Sequence, residues 1–182
     1  MTNQKIELAK KYCQHFHEGQ FRKGSNLPYA THPFAVAETL ARYGYDDVVT
    51  QCVAYLHDTV EDSQVRMDEI QEVFGYEISN GVYILSKNKG KMADGKKLTS
   101  ADYIQRLHWA RNKIRRVKIA DMIDNTKDLE TLSLQGRSKK IKDAEETYIP
   151  WGQEIAPIMV KELISQIASF QEKLRLTEVT KN

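Results

Sequence analysis

The sequence predicts an all-α fold. Apolar residues recur at spacings of three and four through most of its 182 residues, and no segment shows the alternation typical of strands. Hydrophobic residues make up 41 % and charged residues 29 %, the balance of an ordinary globular protein. Glycine- and proline-containing segments separate the helical patterns. A chain of this length is most simply one domain, and we expect one over 1–182.

Two helices are predicted around a loop near the N-terminus. One apolar stripe marks the first helix, at Ile6, Ala9, Cys13 and Phe16. A loop rich in turn-forming residues follows at 20–28. Thr31 is expected to cap the second helix from about Pro33, because proline fits the first helical turn. Gly44 should end that helix, and Asp46 should start the third.

The middle of the chain carries two short helical patterns and a basic loop. The patterns cover about 68–74 and 77–86, and the lysine-rich loop spans 87–98. This loop is either a solvated run of charge or a lid that closes over phosphates. Thr99 or Ser100 is expected to cap the helix that follows.

The C-terminal part is predicted to be helical to about residue 176. A long helix is expected over 112–135, ending at Gly136. Helices over 138–176 should pack on the preceding ones, with interruptions at Pro150 and Pro157 because proline lacks an N–H donor.

Charge, hydropathy and cysteine content exclude several classes of protein. A net charge of +2 argues against a dedicated nucleic-acid binder, although it leaves room for a local basic pocket. No apolar run approaches the ~20 residues of a membrane helix, and the N-terminus lacks the apolar segment of a signal peptide. Cys13 and Cys52 form neither a disulfide framework nor a thiolate metal site, so a cytoplasmic location is expected.

The residues most informative about function lie at 56–62, which read Leu-His-Asp-Thr-Val-Glu-Asp. Charged groups in an apolar helical pattern need partners or a metal, because burying them alone is unfavourable. His57 and Glu61 lie one turn apart on one helix face, as do Asp58 and Asp62 on the next. The alternative is a helix end with solvated acids and one histidine at the edge of the core.

Two further candidate ligands extend this cluster. They are His32 and Asp121. Together with His57 and Asp58 they would supply two imidazoles and two carboxylates, which bind a divalent ion of intermediate softness. Glu61 would remain as a spare acid, as would Asp62, an arrangement typical of a hydrolase. Three polar side chains of the 112–135 pattern fall on one face: Asp121, Asn125 and Asp128. Such a face is usually solvated, but Val117 and Leu132 lie on the same side, so the alternative is that packing surfaces flank the acids.

A pair of cations precedes His32 on the loop that leads into it. Arg22 offers a planar fork and Lys23 a point charge, and both groups bind phosphates in proteins. On their own they would be ordinary surface charges. The sequence contains no P-loop, Rossmann glycine signature or nucleophile elbow.

Together these motifs resemble the HD-domain phosphohydrolases. They are most similar to the hydrolase domain of the Rel/Spo enzymes and to the stand-alone small alarmone hydrolases. The resemblance covers about 5–150. It rests on Gly-Gln-Phe-Arg-Lys at 19–23, Pro-Tyr at 28–29, His-Pro at 32–33, the 56–62 cluster, and Val-Lys-Ile-Ala-Asp at 117–121 through Asn125. Asp128 stands where the family commonly has a hydroxyl residue.

The resemblance implies an HD-domain helical bundle around one Mn²⁺ ion. The implied ligands are His32, His57, Asp58 and Asp121. Glu61 and Asp62 are implied to position and activate the attacking water. The implied reaction removes the 3′-pyrophosphate of guanosine tetra- or pentaphosphate, giving GDP or GTP and pyrophosphate. The implied substrate contacts are Arg22, Lys23, Asn125 and Tyr148.

Other functions remain open at this point. The same metal and acids would serve an HD enzyme acting on a phosphorylated dinucleotide cofactor or a nucleoside phosphate. A third hypothesis is a non-catalytic protein that binds a nucleotide or a partner. The presence of Glu61 and Asp62 argues against it, because binding alone would not require them. We expect a small-molecule nucleotide partner, no membrane and a stand-alone hydrolase. The sequence does not determine the base of the nucleotide. It also leaves the oligomeric state open, and a homo-oligomer is one of the possibilities.

Overall fold

The structure is a computed structural model that describes residues 2–62, 65–87 and 99–179, without the side chains of Thr2, Asp62, Glu178 and Val179. Its helices are α1 (Thr2–Phe16), α2 (Thr31–Arg42), α3 (Val48–Leu56), α4 (Thr59–Asp62), α5 (Met67–Phe74), α6 (Tyr76–Leu85), α7 (Ser100–His108), α8 (Asn112–Thr126), α9 (Leu134–Asp143), α10 (Ile149–Ile155) and α11 (Pro157–Val179). A 3₁₀ turn (Leu129–Thr131) and a π-helical segment (Ala144–Tyr148) connect some of them. Within these residues there is no strand, and the predicted all-α fold is confirmed.

Helix α8 is the centre of the fold. It packs against α2, α3, α6, α7, α10 and α11. Because neighbours surround it, α8 buries residues on all sides, including the charged Arg115, Lys118, Asp121 and Asp124. Asp121 of the predicted polar face is therefore buried and not solvated. Each buried charge requires a partner, and the partners of Lys118, Asp121 and Asp124 build the site described below.

Close helix packing around α8 depends on small side chains. A Cβ atom added at Gly81 would lie 2.7 Å from both the Cδ1 atom of Ile114 and the Cγ2 atom of Val53. Glycine thus lets α6 approach α3 and α8. Large apolar side chains fill the space around these contacts, among them the fully buried Leu40, Leu56, Ile119 and Leu163. Burial of each such side chain contributes roughly 1.5–3 kcal/mol.

Residues 17–30, which we call the access loop, join α1 to α2. The N–H of Arg22 donates to the carbonyl of Leu27 at 2.9 Å, and an isolated bridge joins Phe21 to Pro28. Gly24 has a φ angle of +74°, which glycine adopts without strain, and a Cβ atom there would lie 2.5 Å from the Cβ atom of Thr131. The loop therefore packs on the 3₁₀ turn that follows α8.

Two predicted helix starts are wrong by one or two residues. Helix α2 begins at Thr31, whose hydroxyl donates to the carbonyl of Pro28 at 2.7 Å and so does not cap the helix. The residue that caps α3 is Asp47, not Asp46, since its carboxylate accepts the N–H of Thr50 at 3.2 Å. Helix starts that are inferred from cap residues alone thus shift by one or two residues.

The long helix predicted over 112–135 is also wrong. Helix α8 ends at Thr126, and α9 begins after Ser133, whose hydroxyl caps it by accepting the N–H of Gly136. Gly136 is thus inside α9. The predicted interruption at Pro150 appears as the π-helical segment before it, and Pro157 begins α11 as its first residue.

Two further expectations concern the basic loop and membrane-spanning helices. Of the predicted basic loop, residues 88–98 lie outside the described residues. None of the described helices combines the length and the apolar character that a membrane crossing requires.

Candidate metal centre and active site

The four predicted metal ligands lie together where three helices meet. His32 comes from the first turn of α2, and His57 and Asp58 directly follow α3. Asp121 comes from the middle of α8. The Nε2 atom of His57 is 3.1 Å from the Oδ2 atom of Asp58. The Nε2 atom of His32 is 3.2 Å from the Oδ1 atom of Asp121 and 3.5 Å from the Oδ2 atom of Asp58.

The hydrogen bonds of the two imidazoles show which nitrogen of each ring is free to bind a cation. The Nδ1 atom of His57 donates to the carbonyl of Ala54 at 2.7 Å, and the Nδ1 atom of His32 to the Oδ2 atom of Asp124, also at 2.7 Å. In neutral rings the Nε2 atoms then carry lone pairs. The buried Nε2 atom of His57 has no hydrogen-bond partner among the described residues.

This arrangement fits a divalent cation. Lone pairs on the two Nε2 atoms face carboxylate oxygens, and such groups repel each other unless a proton or a cation lies between them. His32, His57 and Asp58 offer ligand atoms that all lie within 4.8 Å of one another. A histidine ligand usually donates its second N–H to a carbonyl or carboxylate, as both rings do here. Two nitrogens and carboxylate oxygens suit an ion of intermediate softness.

The pKa shifts show the same concentration of negative charge. Burial lowers the pKa of His32, but hydrogen bonds to Asp121 and Asp124 outweigh it and raise that pKa to about 9. Burial raises the pKa of Asp121, yet Lys118 and the imidazole of His32 hold it well below its usual range. Both carboxylate and imidazole therefore favour their charged forms when protein groups alone surround them.

Three residues that we did not predict orient these ligands. The hydroxyl of Tyr29 donates to the Oδ2 atom of Asp58 at 2.7 Å, and the Nζ atom of Lys118 donates to the Oδ2 atom of Asp121 at 2.5 Å. Asp124 holds His32, as described above. Lys118 and Asp124 lie three residues before and after Asp121, a spacing that marks one helix face. Tyr29 lies in the Pro-Tyr motif at 28–29, but no spacing in the sequence indicated that it would contact Asp58.

The predicted catalytic acids are placed differently. Glu61 lines a cavity of about 190 Å³ together with the four metal-ligand candidates. Its Oε1 atom accepts a hydrogen bond from the backbone N–H of Lys87. Asp62 ends α4, but its side chain lies outside the described part of the structure.

A second cavity adjoins the first one. We call the cavity with Glu61 the inner cavity, and the second, of about 460 Å³, the outer cavity. Both are lined by Tyr29, His32, Asn125 and Lys140. Asn125 and Tyr148, two predicted substrate contacts, line the inner cavity, and Arg22 and Lys23 line the outer one. Together the cavities are large enough for a nucleotide.

The two loop cations differ in their surroundings. Arg22 is engaged by two carboxylates: its Nη1 atom is 2.8 Å from the Oδ2 atom of Asp124, and its Nε atom donates to the Oδ2 atom of Asp128 at 2.9 Å. Lys23 is exposed. Lys140 reaches the boundary of the two cavities, where its Nζ atom donates to the Oδ1 atom of Asn125 at 2.5 Å.

Comparison with known proteins places this geometry in a family. A family model described as the HD domain matches residues 9–152. A GTP pyrophosphokinase of Streptomyces coelicolor is 31 % identical over 174 residues, covering 92 % of this chain and 20 % of the relative. A GTP pyrophosphokinase rsh of Brucella melitensis is 31 % identical over 166 residues, covering 90 % of this chain and 22 % of the relative. The chain thus spans about a fifth of these curated relatives' length.

The fold also matches a solved structure. That protein is described as a metazoan ortholog of SpoT that hydrolyzes ppGpp and plays a role in starvation responses. The two structures superpose with a TM-score of 0.77 at 20 % identity, covering 91 % of this chain and 94 % of the other. The resemblance predicted from the motifs is confirmed, and the chain belongs to the HD-domain family.

Proposed function

We propose that this protein is a metal-dependent phosphohydrolase that removes the 3′-pyrophosphate of guanosine tetra- or pentaphosphate. The products would be GDP or GTP and pyrophosphate. The observation that carries the proposal is the pair of Nε2 atoms, on His32 and His57, that face carboxylates in a cavity shared with Glu61. The structural relative is described as a protein that hydrolyzes ppGpp. The curated relatives are described as GTP pyrophosphokinases, but the chain spans only about a fifth of them.

The proposed cofactor is Mn²⁺. Its proposed ligands are His32, His57, Asp58 and Asp121. Imidazole nitrogens and carboxylate oxygens together suit Mn²⁺ and related divalent ions. A divalent ion bound there would polarise a phosphoryl oxygen and lower the pKa of water.

Two acids of the chain are proposed to accept the proton of the attacking water. Glu61 is proposed to accept a proton from the attacking water, with Asp62 as the second acid. The backbone N–H of Lys87 donates to the Oε1 atom of Glu61, whose side chain lines the inner cavity. A carboxylate fixed in this way loses little freedom when it binds water, which favours general-base catalysis.

Different parts of the substrate are proposed to occupy the two cavities. We propose that the scissile diphosphate occupies the inner cavity, where Lys140, whose Nζ atom contacts the neutral amide of Asn125, offsets charge that builds on the phosphoryl oxygens. Asn125 and Tyr148 would contact the nucleotide beside them, and the exposed Lys23 would meet the rest of its phosphates at the outer cavity.

We further propose that the whole chain acts as one domain in the cytoplasm. Both cysteines, Cys13 and Cys52, are buried free thiols, as a reducing compartment would keep them.

A nucleotide panel tests the proposed function. The metal-loaded protein is incubated with guanosine tetraphosphate, GTP, a 2′-phosphorylated dinucleotide and a small phosphate ester, and pyrophosphate is resolved from orthophosphate. We expect pyrophosphate and GDP from guanosine tetraphosphate. Release of orthophosphate alone, or preference for the dinucleotide, would assign another nucleotide to the site. Tight nucleotide binding without turnover would identify a binding protein.

A further inference from the structure

A chain of charged contacts connects the access loop to the metal-ligand candidate His32. The Oδ2 atom of Asp124 is common to both contacts of this chain. It accepts the Nδ1–H of His32 at 2.7 Å and the Nη1–H of Arg22 at 2.8 Å. The side chains are 5 % exposed for His32, 2 % for Asp124 and 11 % for Arg22. Hydrogen bonds between charged groups in such a buried setting hold their partners firmly.

The charges around Arg22 leave no surplus positive charge for a phosphate. Asp128 accepts from the Nε and Nη2 atoms of Arg22, so the guanidinium contacts two carboxylates at once. Lys127 contacts the second oxygen of Asp124 at 3.1 Å. Two cations, Arg22 and Lys127, thus balance the two anions, Asp124 and Asp128. A phosphate that bound Arg22 would have to displace a carboxylate from it.

We propose that Asp124 and Arg22 are positioning residues for His32, so that Arg22 serves the metal centre and not a substrate phosphate. The proposal rests on the proposed metal site. Asp124 holds the proton on the Nδ1 atom of His32, which leaves the Nε2 lone pair for the ion and makes it more basic. Arg22 in turn holds the Oδ2 atom of Asp124 at 2.8 Å and keeps it pointed at the ring.

His57 differs from His32 in this respect. Its Nδ1–H donates to a backbone carbonyl, that of Ala54, which helix α3 holds in place. The orientation of His57 therefore depends on the helix alone, whereas that of His32 depends on side chains from α8 and from the access loop. Substitutions in these side chains should change the affinity for the ion while the other ligands stay in place.

Mn²⁺ affinity of the full chain, measured by titration without any nucleotide, tests the proposal. Asp124→Asn keeps an oxygen that can accept from His32 but loses the charge, and Asp124→Ala loses both. We expect affinity to fall about tenfold for Asp124→Asn and up to about 100-fold for Asp124→Ala, the range for residues that orient ligands. Arg22→Ala should weaken binding several-fold, and Arg22→Lys should recover part of the loss.

A double variant and a control complete the design. If Arg22 acts through Asp124, adding Arg22→Ala to Asp124→Ala should change affinity by less than about twofold, because coupled residues are not additive. Arg42→Ala is the matched control: Arg42 lies on α2 with His32 but forms an exposed pair with Glu162. Circular dichroism melting confirms that each variant is folded; should Asp124→Ala not fold, Asp124→Asn carries the test.

The outcomes separate this proposal from the proposed function. Parent-like Mn²⁺ affinity in Asp124→Asn, in a protein that hydrolyses guanosine tetraphosphate, overturns the positioning role alone. So does an Arg22→Ala protein with unchanged affinity and a raised KM, which would make Arg22 a substrate contact. Graded loss of affinity in a protein that hydrolyses no nucleotide supports positioning and overturns the proposed function. A parent protein that binds no divalent ion overturns both.

Discussion

Lys118 and Asp121, one helical turn apart on α8, form an ion pair that is buried at the centre of the fold. Their Nζ and Oδ2 atoms are 2.5 Å apart, and each side chain is 8 % exposed. The other oxygen of Asp121 faces the Nε2 atom of His32 at 3.2 Å. One carboxylate thus joins a buried cation to the metal-ligand candidates, so the stability of the fold and the geometry of the site depend on the same contact.

Replacing Lys118 should therefore destabilise the protein. Lys118→Met leaves Asp121 buried without its cation, a change that typically lowers the free energy of unfolding by about 3–5 kcal/mol. Added Mn²⁺ should restore part of this loss, because a bound cation would neutralise the same carboxylate. Chemical denaturation with and without Mn²⁺ measures both effects. Lys142→Met, at an exposed position on α9, is the control and should change stability by less than about 0.5 kcal/mol. Equal stability of Lys118→Met and the parent would contradict this account.

A second prediction concerns the ion itself. Purified protein should bind about one divalent ion per chain, and a ligand at 100 times its Kd should stabilise the fold by about 2.7 kcal/mol. His57→Ala and Asp121→Ala should each lose the ion and the stabilisation. His108→Ala, an exposed histidine outside the site, should retain both. Elemental analysis together with melting curves provides the measurement. Full metal content in Asp121→Ala would remove that residue from the ligand set.

The sequence was most informative where chemistry is concentrated in short segments. The 56–62 cluster and His32 were recognisable because several groups that are unfavourable to bury occur together in apolar surroundings. Asp121 was recognisable by its place in a helical pattern. Helix spacing allowed their approximate positions along the helices to be inferred. In the structure the Nε2 atom of His32 lies within 3.5 Å of both Asp58 and Asp121, and that of His57 lies 3.1 Å from Asp58.

Contacts between distant segments were not predictable in the same way. Tyr29 reaches Asp58 only because the access loop folds back on the 3₁₀ turn after α8. The pairing of Arg22 with Asp124 and Asp128 spans about a hundred residues, and no local pattern encodes it. The break after Thr126 was missed for a related reason, since the apolar period continues through a turn that tertiary packing stabilises.

The catalytic acids should be separable from the metal ligands. Glu61→Gln and Asp62→Asn remove a proton acceptor but keep the shape of the side chain, so metal content and melting temperature should stay close to those of the parent. Turnover of guanosine tetraphosphate should fall by at least ~10²-fold, the usual contribution of a general acid or base. Steady-state kinetics on metal-loaded protein is the measurement. A variant as fast as the parent would show that its acid is not needed for proton transfer.

Alkaline pH should destabilise the fold through its buried thiols. Burial raises the pKa of Cys13 to about 12 and that of Cys52 to about 11, from an ordinary thiol value of 9.0 in each case. The unfolded chain loses these protons above pH 9 while the folded one keeps them, so stability falls with rising pH, by about 1.4 kcal/mol per thiol and pH unit. Denaturant midpoints between pH 8 and about pH 11 measure the slope. Cys13→Ala should reduce it, and an unchanged slope would exclude the thiol as its cause.

The last prediction tests which loop cation meets the substrate. Arg22 is held by Asp124 and Asp128, whereas Lys23 is exposed at the outer cavity and forms no ion pair within the part of the chain that the structure describes. A charge-assisted contact to phosphate contributes about 1.5–3 kcal/mol, so Lys23→Ala should lower kcat/KM for guanosine tetraphosphate by roughly tenfold or more. The same variant should leave hydrolysis of a small phosphate ester unchanged, because that ester does not reach the outer cavity. Lys11→Ala on α1 serves as the control for a general loss of positive charge. If Lys23→Ala affects both substrates equally, its charge acts on the inner cavity from a distance, and the division of the nucleotide between the two cavities is wrong.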